Sequence, residues 1–162
     1  MRIAGIRKTS LFDSVGINYT IFTQGCPHAC EGCHNPSTWD TEGGYEITLD
    51  ELKADISSLQ LIQGITFSGG EPLEQYGDVF SLAMWAHSQE LQTTLYTGYR
   101  YNGLVWGLHE FYAKDKHIHL LPEHMDYLDY VIDGAFDISK KTLEMPFVGS
   151  SNQRILKLGR DY

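Results

Sequence analysis

The chain has 162 residues, 42% of them hydrophobic and 20% charged, with a formal net charge of -9. One domain over residues 1–162 is expected at this length, and the composition excludes collagen, coiled coil and disorder. The acidic balance argues against a phosphate-tracking surface, which needs clustered Lys and Arg, so no nucleic-acid partner is expected.

In chain order, Ile3–Arg7 and Asn18–Thr23 read as strands, the second running into a cysteine-bearing loop. Thr48-Leu49-Asp50-Glu51 is a capping box. It opens a helix with Leu49, Leu52, Ile56 and Leu59 at helical spacing. Gly64–Phe67 reads as a buried strand ended by Ser68-Gly69-Gly70. Asp78–Ser88 reads as a helix burying Val79, Leu82, Ala83 and Ala86, and Thr93–Tyr96 as a third core strand closed by Thr97-Gly98. The pattern predicts a helix over Asn102–Phe111, weakened by Gly103 and Gly107. A helical turn follows at Met125–Leu128. Strands are expected at Tyr130–Ile132, before Asp133-Gly134, and at Arg154–Leu158.

Strands alternating with helices imply parallel pairing and right-handed crossovers. Four or five such units cannot close an eight-stranded barrel, which needs roughly 250 residues. The expected fold is α/β, an open, partial (β/α) barrel. Cys26, Glu71, Thr97 and Asp133 all fall just after strands. In parallel α/β folds the carboxyl ends of strands are where ligands bind, so four segments should converge on one rim. Arg2, Lys8 and Asp13 interrupt any early apolar run, and no span of about 18 apolar residues occurs. Neither a signal peptide nor a membrane partner is expected, and a cytoplasmic location is.

The three cysteines fall within eight residues, Cys26-Pro-His-Ala-Cys30-Glu-Gly-Cys33. An odd, clustered set cannot build a disulfide framework, and in a reducing compartment it points to metal or redox chemistry. Three thiolates at this spacing can wrap one corner of a [4Fe–4S] cluster and leave one iron open to a substrate. A zinc site completed by His28 or His34 is the alternative. No second ligand pair appears elsewhere, which favours the cluster. The Ser68-Gly69-Gly70-Glu71-Pro72 turn has two readings. Its glycines would let backbone approach an amino-acid ligand closely, with Glu71 facing the ligand ammonium; it could equally be an ordinary strand-to-helix turn.

Together the two segments resemble the radical S-adenosylmethionine superfamily. Cys26, Cys30 and Cys33 match its CxxxCxxC motif, and Gly69, Gly70, Glu71 and Pro72 match its GGE motif. Cys33-His34-Asn35 with Thr38-Trp39-Asp40 resembles the glycyl-radical activating enzymes. Tyr96-Thr97-Gly98-Tyr99, Val131-Ile132-Asp133-Gly134 and Gly149-Ser150-Ser151-Asn152-Gln153-Arg154 resemble the activating enzymes of anaerobic ribonucleotide reductase. The resemblance runs from about Gly16 to Leu156.

It implies a cluster held by Cys26, Cys30 and Cys33, with S-adenosylmethionine bound by Gly69, Gly70 and Glu71. An aromatic residue often precedes the third cysteine in the superfamily, where this chain has Gly32. Backbone at Gly32, Cys33 and His34 would then contact the adenine, with Thr97 and Asp133 as further cosubstrate contacts from the rim. The implied reaction is reductive cleavage of S-adenosylmethionine to a 5′-deoxyadenosyl radical, which takes a hydrogen atom from a glycine of the reductase. A flavodoxin is the implied electron donor. Arg154 is a candidate anchor for the reductase. A radical enzyme acting on a metabolite, such as a modified-nucleoside synthase, and a non-catalytic metal module are the alternatives. Trp39 could shield the cluster or be core. Trp85 and Trp106 are expected to pack helices. His87, His109, His117, His119 and His124 have no spacing that suggests a metal site.

Overall fold

The computed structural model describes residues 1–114 and 116–158. Its main sheet has seven strands, built from β1 (Arg2–Ser10), β2 (Asn18–Thr23), β3 (Tyr45–Glu46), β4 (Gly64–Gly69), β5 (Gln92–Thr97), β9 (Tyr130–Asp133) and β10 (Arg154–Lys157). They run in the order β10-β9-β5-β4-β2-β1-β3. The four central strands β2, β4, β5 and β9 are parallel, and β1, β3 and β10 join antiparallel at the flanks. Parallel strands are covered on both faces, which explains why Gly64–Phe67 is an unbroken buried run.

Helix α1 (Leu49–Ser57) begins at Thr48, whose hydroxyl accepts from Glu51 N while the Glu51 carboxylate accepts from Thr48 N. The local motif needs no tertiary help to form. Thr48→Ala is expected to cost about 1 kcal/mol, a fall of roughly 2–4 °C in the melting midpoint for a chain of this size. An unmoved midpoint would show the cap to be dispensable. Leu52 and Ile56 face the core from α1, and Val79, Leu82, Ala83 and Ala86 from α2 (Tyr76–Ser88). Helix α2 packs on β4 and β5.

The predicted helix over Asn102–Phe111 is instead a β-hairpin, β6 (Arg100–Val105) and β7 (Leu108–Ala113), extended antiparallel by β8 (Lys116–Leu120). Val105 pairs with Leu108 across a two-residue loop, and both loop residues, Trp106 and Gly107, have positive φ. That is the turn chemistry hairpins favour. Gly103 adopts φ +81° inside β6, where the register shifts. Tyr101 and Phe111 face each other, with ring centroids 5.0 Å apart, and supply the buried side. Trp106 packs nothing: it stands 98% exposed at the tip. A short helix α3 (Pro122–Met125) leads into β9. No helix among the described residues is long and apolar enough to cross a membrane.

Register places the strand ends together. Thr23 pairs with Gly69, and Thr97 with Asp133. Phe67 pairs with Leu95, so two residues further on Gly69 and Thr97 stand side by side. The loops after β2, β4, β5 and β9 therefore leave the sheet at one rim.

Candidate functional site

A cavity of about 580 Å³ opens at that rim. Cys26, Cys30 and Cys33 line it from the β2 loop, Gly69 and Gly70 from the β4 turn, and Thr97 from the end of β5. Gly134 and Phe136 close it from the β9 side.

The cysteine loop is tied at its base. Gly25 N donates to Thr38 O and Cys26 N to Trp39 O. Gln24 Nε2 donates to Ser37 O and Asp40 O. Within the loop, Ala29 and Gly32 take positive φ, and Cys33 N donates to Cys30 O. The chain can thus turn back on itself twice in eight residues. All three thiols are free. Burial pushes the Cys26 thiol up to about 11, with the His28 and Ala29 backbone N–H groups opposing the rise. Burial also raises Cys30, opposed by the Phe136 backbone N–H. Metal binding here must displace protons. Asn35 N donates to Cys33 Sγ at 3.4 Å, and such bonds to cluster sulfurs are one of the protein's means of setting a potential.

Among the described residues, no group of three or more His, Cys, Asp or Glu side chains is gathered closely enough to hold one metal ion. A zinc ion needs thiolates at about 2.3 Å from a single centre. A cubane gives each thiolate its own iron, so the sulfurs stand further apart. Cys26, Cys30 and Cys33 line one cavity together, a donor set of three thiols that suits a cluster with one iron left open. His28, one of the two proposed fourth zinc ligands, has its Nε2 committed to Glu71 at 2.8 Å.

Glu71 corrects an expectation. It does not face the cavity and is fully buried. Its Oε1 accepts from Leu73 N and Thr97 Oγ1, and its Oε2 from Gly98 N and His28 Nε2. With four donors the carboxylate is saturated and has no capacity left for a ligand ammonium. The Gly70 and Glu71 amides are also spent, on Thr23 O and Gly25 O. What the turn offers the cavity is the Gly69–Gly70 backbone. Both glycines are sterically required: a Cβ on Gly69 would meet Phe22 Cα and Thr23 N at 2.6 Å, and one on Gly70 would run into the Gly25 carbonyl.

Asp133 corrects a second. It is fully buried and holds the Arg154 guanidinium, with Nε at 2.9 Å from Oδ1 and Nη2 against Oδ2, while Oδ2 also accepts from Tyr101 N. The pair clamps β10 and β6 to the end of β9. Neither residue lines the cavity; Arg154 Nη2 also donates to Tyr101 O, and the rest of its side chain stays 39% exposed. Gly32 does not line the cavity either: it has φ +72°, and a Cβ there would meet Ile138 Cδ1 at 2.7 Å, which leaves no room for an aromatic side chain. Cys33, His34 and Thr97 do line the cavity. Thr97 has its hydroxyl bonded to Glu71 and accepting from Tyr99 N.

Sequence reasoning missed Phe12, Phe136, Leu143 and Val148, which supply the apolar part of the wall. They come from loops without motif or periodicity, so nothing local marked them. Trp39, left open between shield and core, lines the cavity with its Nε1 buried and unpartnered among the described residues.

A family model described as a 4Fe-4S single cluster domain matches residues 13–156. The anaerobic ribonucleoside-triphosphate reductase-activating protein of Enterobacteria phage T4 is 32% identical over 146 residues, covering 86% of this chain and 83% of that protein. The pyruvate formate-lyase-activating enzyme of Clostridium pasteurianum is 35% identical over 131 residues, 77% of this chain and 53% of that protein, so the chain spans about half its length. A solved structure, QueE from Escherichia coli, overlaps 60% of this chain and 51% of its own at 18% identity and a TM-score of 0.47, too slight a likeness to bear on activity. Coverage of nearly the whole chain, across the cysteine loop and the glycine turn alike, places it plainly: the chain belongs to the 4Fe-4S single cluster domain family, among the anaerobic ribonucleoside-triphosphate reductase-activating proteins.

Proposed function

We propose that the protein is a glycyl-radical activating enzyme for an anaerobic ribonucleotide reductase, working in the cytoplasm with S-adenosylmethionine as cosubstrate. The observation that carries this is the meeting of three free thiols and the Gly69–Gly70 backbone on one cavity. Its volume lies within the roughly 300–1,000 Å³ of small-molecule sites. The open linear sheet order is consistent with a partial barrel.

Cys26, Cys30 and Cys33 would hold the [4Fe–4S] cluster, and the Asn35 amide would stabilise the Cys33 sulfur. When bound and reduced by a donor such as a flavodoxin, the cluster supplies the electron that splits S-adenosylmethionine into methionine and the 5′-deoxyadenosyl radical. An ammonium needs acceptors, so the carbonyls of the glycine turn suit the cosubstrate's amino group. Backbone at Cys33 and His34 would border the adenine. Phe136 and Val148 supply apolar wall that excludes water from the reacting centre. No side chain is required to move a proton, because the substrate loses a hydrogen atom.

The mouth favours a protein substrate. Phe12, 81% exposed, and Leu143, 93% exposed, stand at its edge on separate loops. Exposed apolar groups around a site mark a docking surface, and a net charge of -9 disfavours anionic lipid or nucleic acid as its occupant. The test is anaerobic incubation of reduced protein and S-adenosylmethionine with the cognate reductase. A glycyl doublet should appear on the reductase by electron paramagnetic resonance, with 5′-deoxyadenosine in proportion. A radical-free reductase alongside turnover of a nucleoside precursor would assign the protein to metabolite chemistry instead.

A further inference from the structure

We propose that His28 is a positioning residue that locks the cysteine loop to the cosubstrate side of the cavity through Glu71. This rests on the cluster and cosubstrate reading above. His28 lies between Cys26 and Cys30, so fixing its ring fixes the first turn of the loop. The side chain is only 10% exposed and is held on three sides. Its Nε2 meets Glu71 Oε2 at 2.8 Å. The Tyr99 ring stands edge-on to it, with centroids 4.7 Å apart. Against its remaining side lies Gly98, where a Cβ would meet Nε2 at 2.6 Å. The glycine of the Thr97-Gly98 turn is therefore explained by the imidazole packed on it.

Through Glu71 the lock reaches the other strand ends. The same carboxylate takes Leu73 N from the β4 turn and Thr97 Oγ1 and Gly98 N from the β5 turn. One buried group thus ties the loop after β2 to the turns after β4 and β5. Those are the segments that carry the thiols and the glycine backbone. A chain of contacts supports the ring from behind. Tyr99 Oη donates to Glu74 Oε1 at 2.6 Å, and Lys116 Nζ on β8 pairs with the same carboxylate. The three-stranded sheet, which contributes nothing to the cavity wall, buttresses it in this way. A ring held like this serves geometry: it keeps the Cys26–Cys30 turn in register with Gly69 and Gly70, so that a ligand spanning both sides meets them together. A deviation of about 1 Å in such a constellation is enough to weaken it.

The test uses His28→Ala, His28→Gln and Gly98→Ala in the full chain, reconstituted anaerobically with iron and sulfide. Gly98→Ala displaces the ring without altering His28. Gln offers an amide donor near the position of Nε2. Iron and sulfide content should match wild type in all three. The dithionite-reduced cluster is read by electron paramagnetic resonance as S-adenosylmethionine is added. Half-saturation of the cosubstrate-induced spectral change should rise about tenfold or more in His28→Ala and Gly98→Ala, the loss expected for one strong hydrogen bond. It should return to within about threefold of wild type in His28→Gln. Melting curves of the empty proteins identify a variant that fails to fold, in which case the other two decide. Wild-type titrations in both His28→Ala and Gly98→Ala would overturn the proposal. Loss of iron in His28→Ala alone would overturn it too, by making His28 a ligand. A wild-type protein whose cluster does not respond to S-adenosylmethionine would sink the enzyme reading itself, and the lock with it.

Discussion

Cys26→Ala, Cys30→Ala and Cys33→Ala should each abolish loading of the [4Fe–4S] cluster. The chain has no fourth cysteine to substitute for a lost one. Thiolate is the ligand iron–sulfur clusters require, and an alanine leaves a second iron without a protein ligand. Iron and sulfide per chain after anaerobic reconstitution should fall close to background, together with the visible absorption. The fold should survive. The loop is tied at its base by Gly25 and Cys26 backbone bonds and at its turn by His28, none of which uses a thiol. Melting of the metal-free variants should therefore stay near wild type. Normal iron content in any one variant would remove that residue from the ligand set.

The second large effect is on stability. Glu71→Ala should strip four donors of their acceptor at once: Leu73 N, Thr97 Oγ1, Gly98 N and the His28 ring. A buried unsatisfied donor costs about 1–3 kcal/mol. The four losses will not add fully, since water entering the space left behind satisfies some of them. A net loss of about 3 kcal/mol or more is expected, against the ~5–15 kcal/mol that holds a typical domain folded. The melting midpoint of the metal-free protein should drop by roughly 10 °C. Glu71→Gln should fall between, because an amide keeps one acceptor oxygen and turns the other position into a donor. A midpoint within about 2 °C of wild type, with only cosubstrate affinity reduced, would return Glu71 to the role of a ligand contact.

The two glycines of the turn show how a motif can be legible while its reason is not. Gly69 and Gly70 stand out in the sequence because paired glycines after a buried strand suggest close approach. The close approach in the structure is first of all to the protein's own backbone, at Phe22, Thr23 and Gly25. Only the carbonyl side is left for a ligand. Trp106-Gly107 is the converse. Apolar residues at Leu104, Val105, Leu108 and Phe111 fit helical spacing and a hairpin equally, and the deciding feature is two consecutive residues with positive φ. A glycine after a large residue in a short apolar stretch was the available signal.

By itself the sequence determined whatever depends on neighbours along the chain. The capping box at Thr48, the buried runs that became β2, β4, β5 and β9, and the three clustered thiols are all of this kind. So is the convergence of strand ends, because parallel βα units leave few ways to arrange them. The tertiary structure alone decided how the polar side chains at those ends are spent. Glu71 is bonded to His28 and Thr97, 43 and 26 residues away in sequence, and Asp133 to Arg154, 21 residues away. A carboxylate after a strand has the same local signature whether it faces a ligand or is saturated by the protein. What distinguishes the two is which distant donors reach it first, and packing sets that. Buried polar groups must be paired, so Glu71 and Asp133 went to the fold, and the cavity kept the thiols and the backbone.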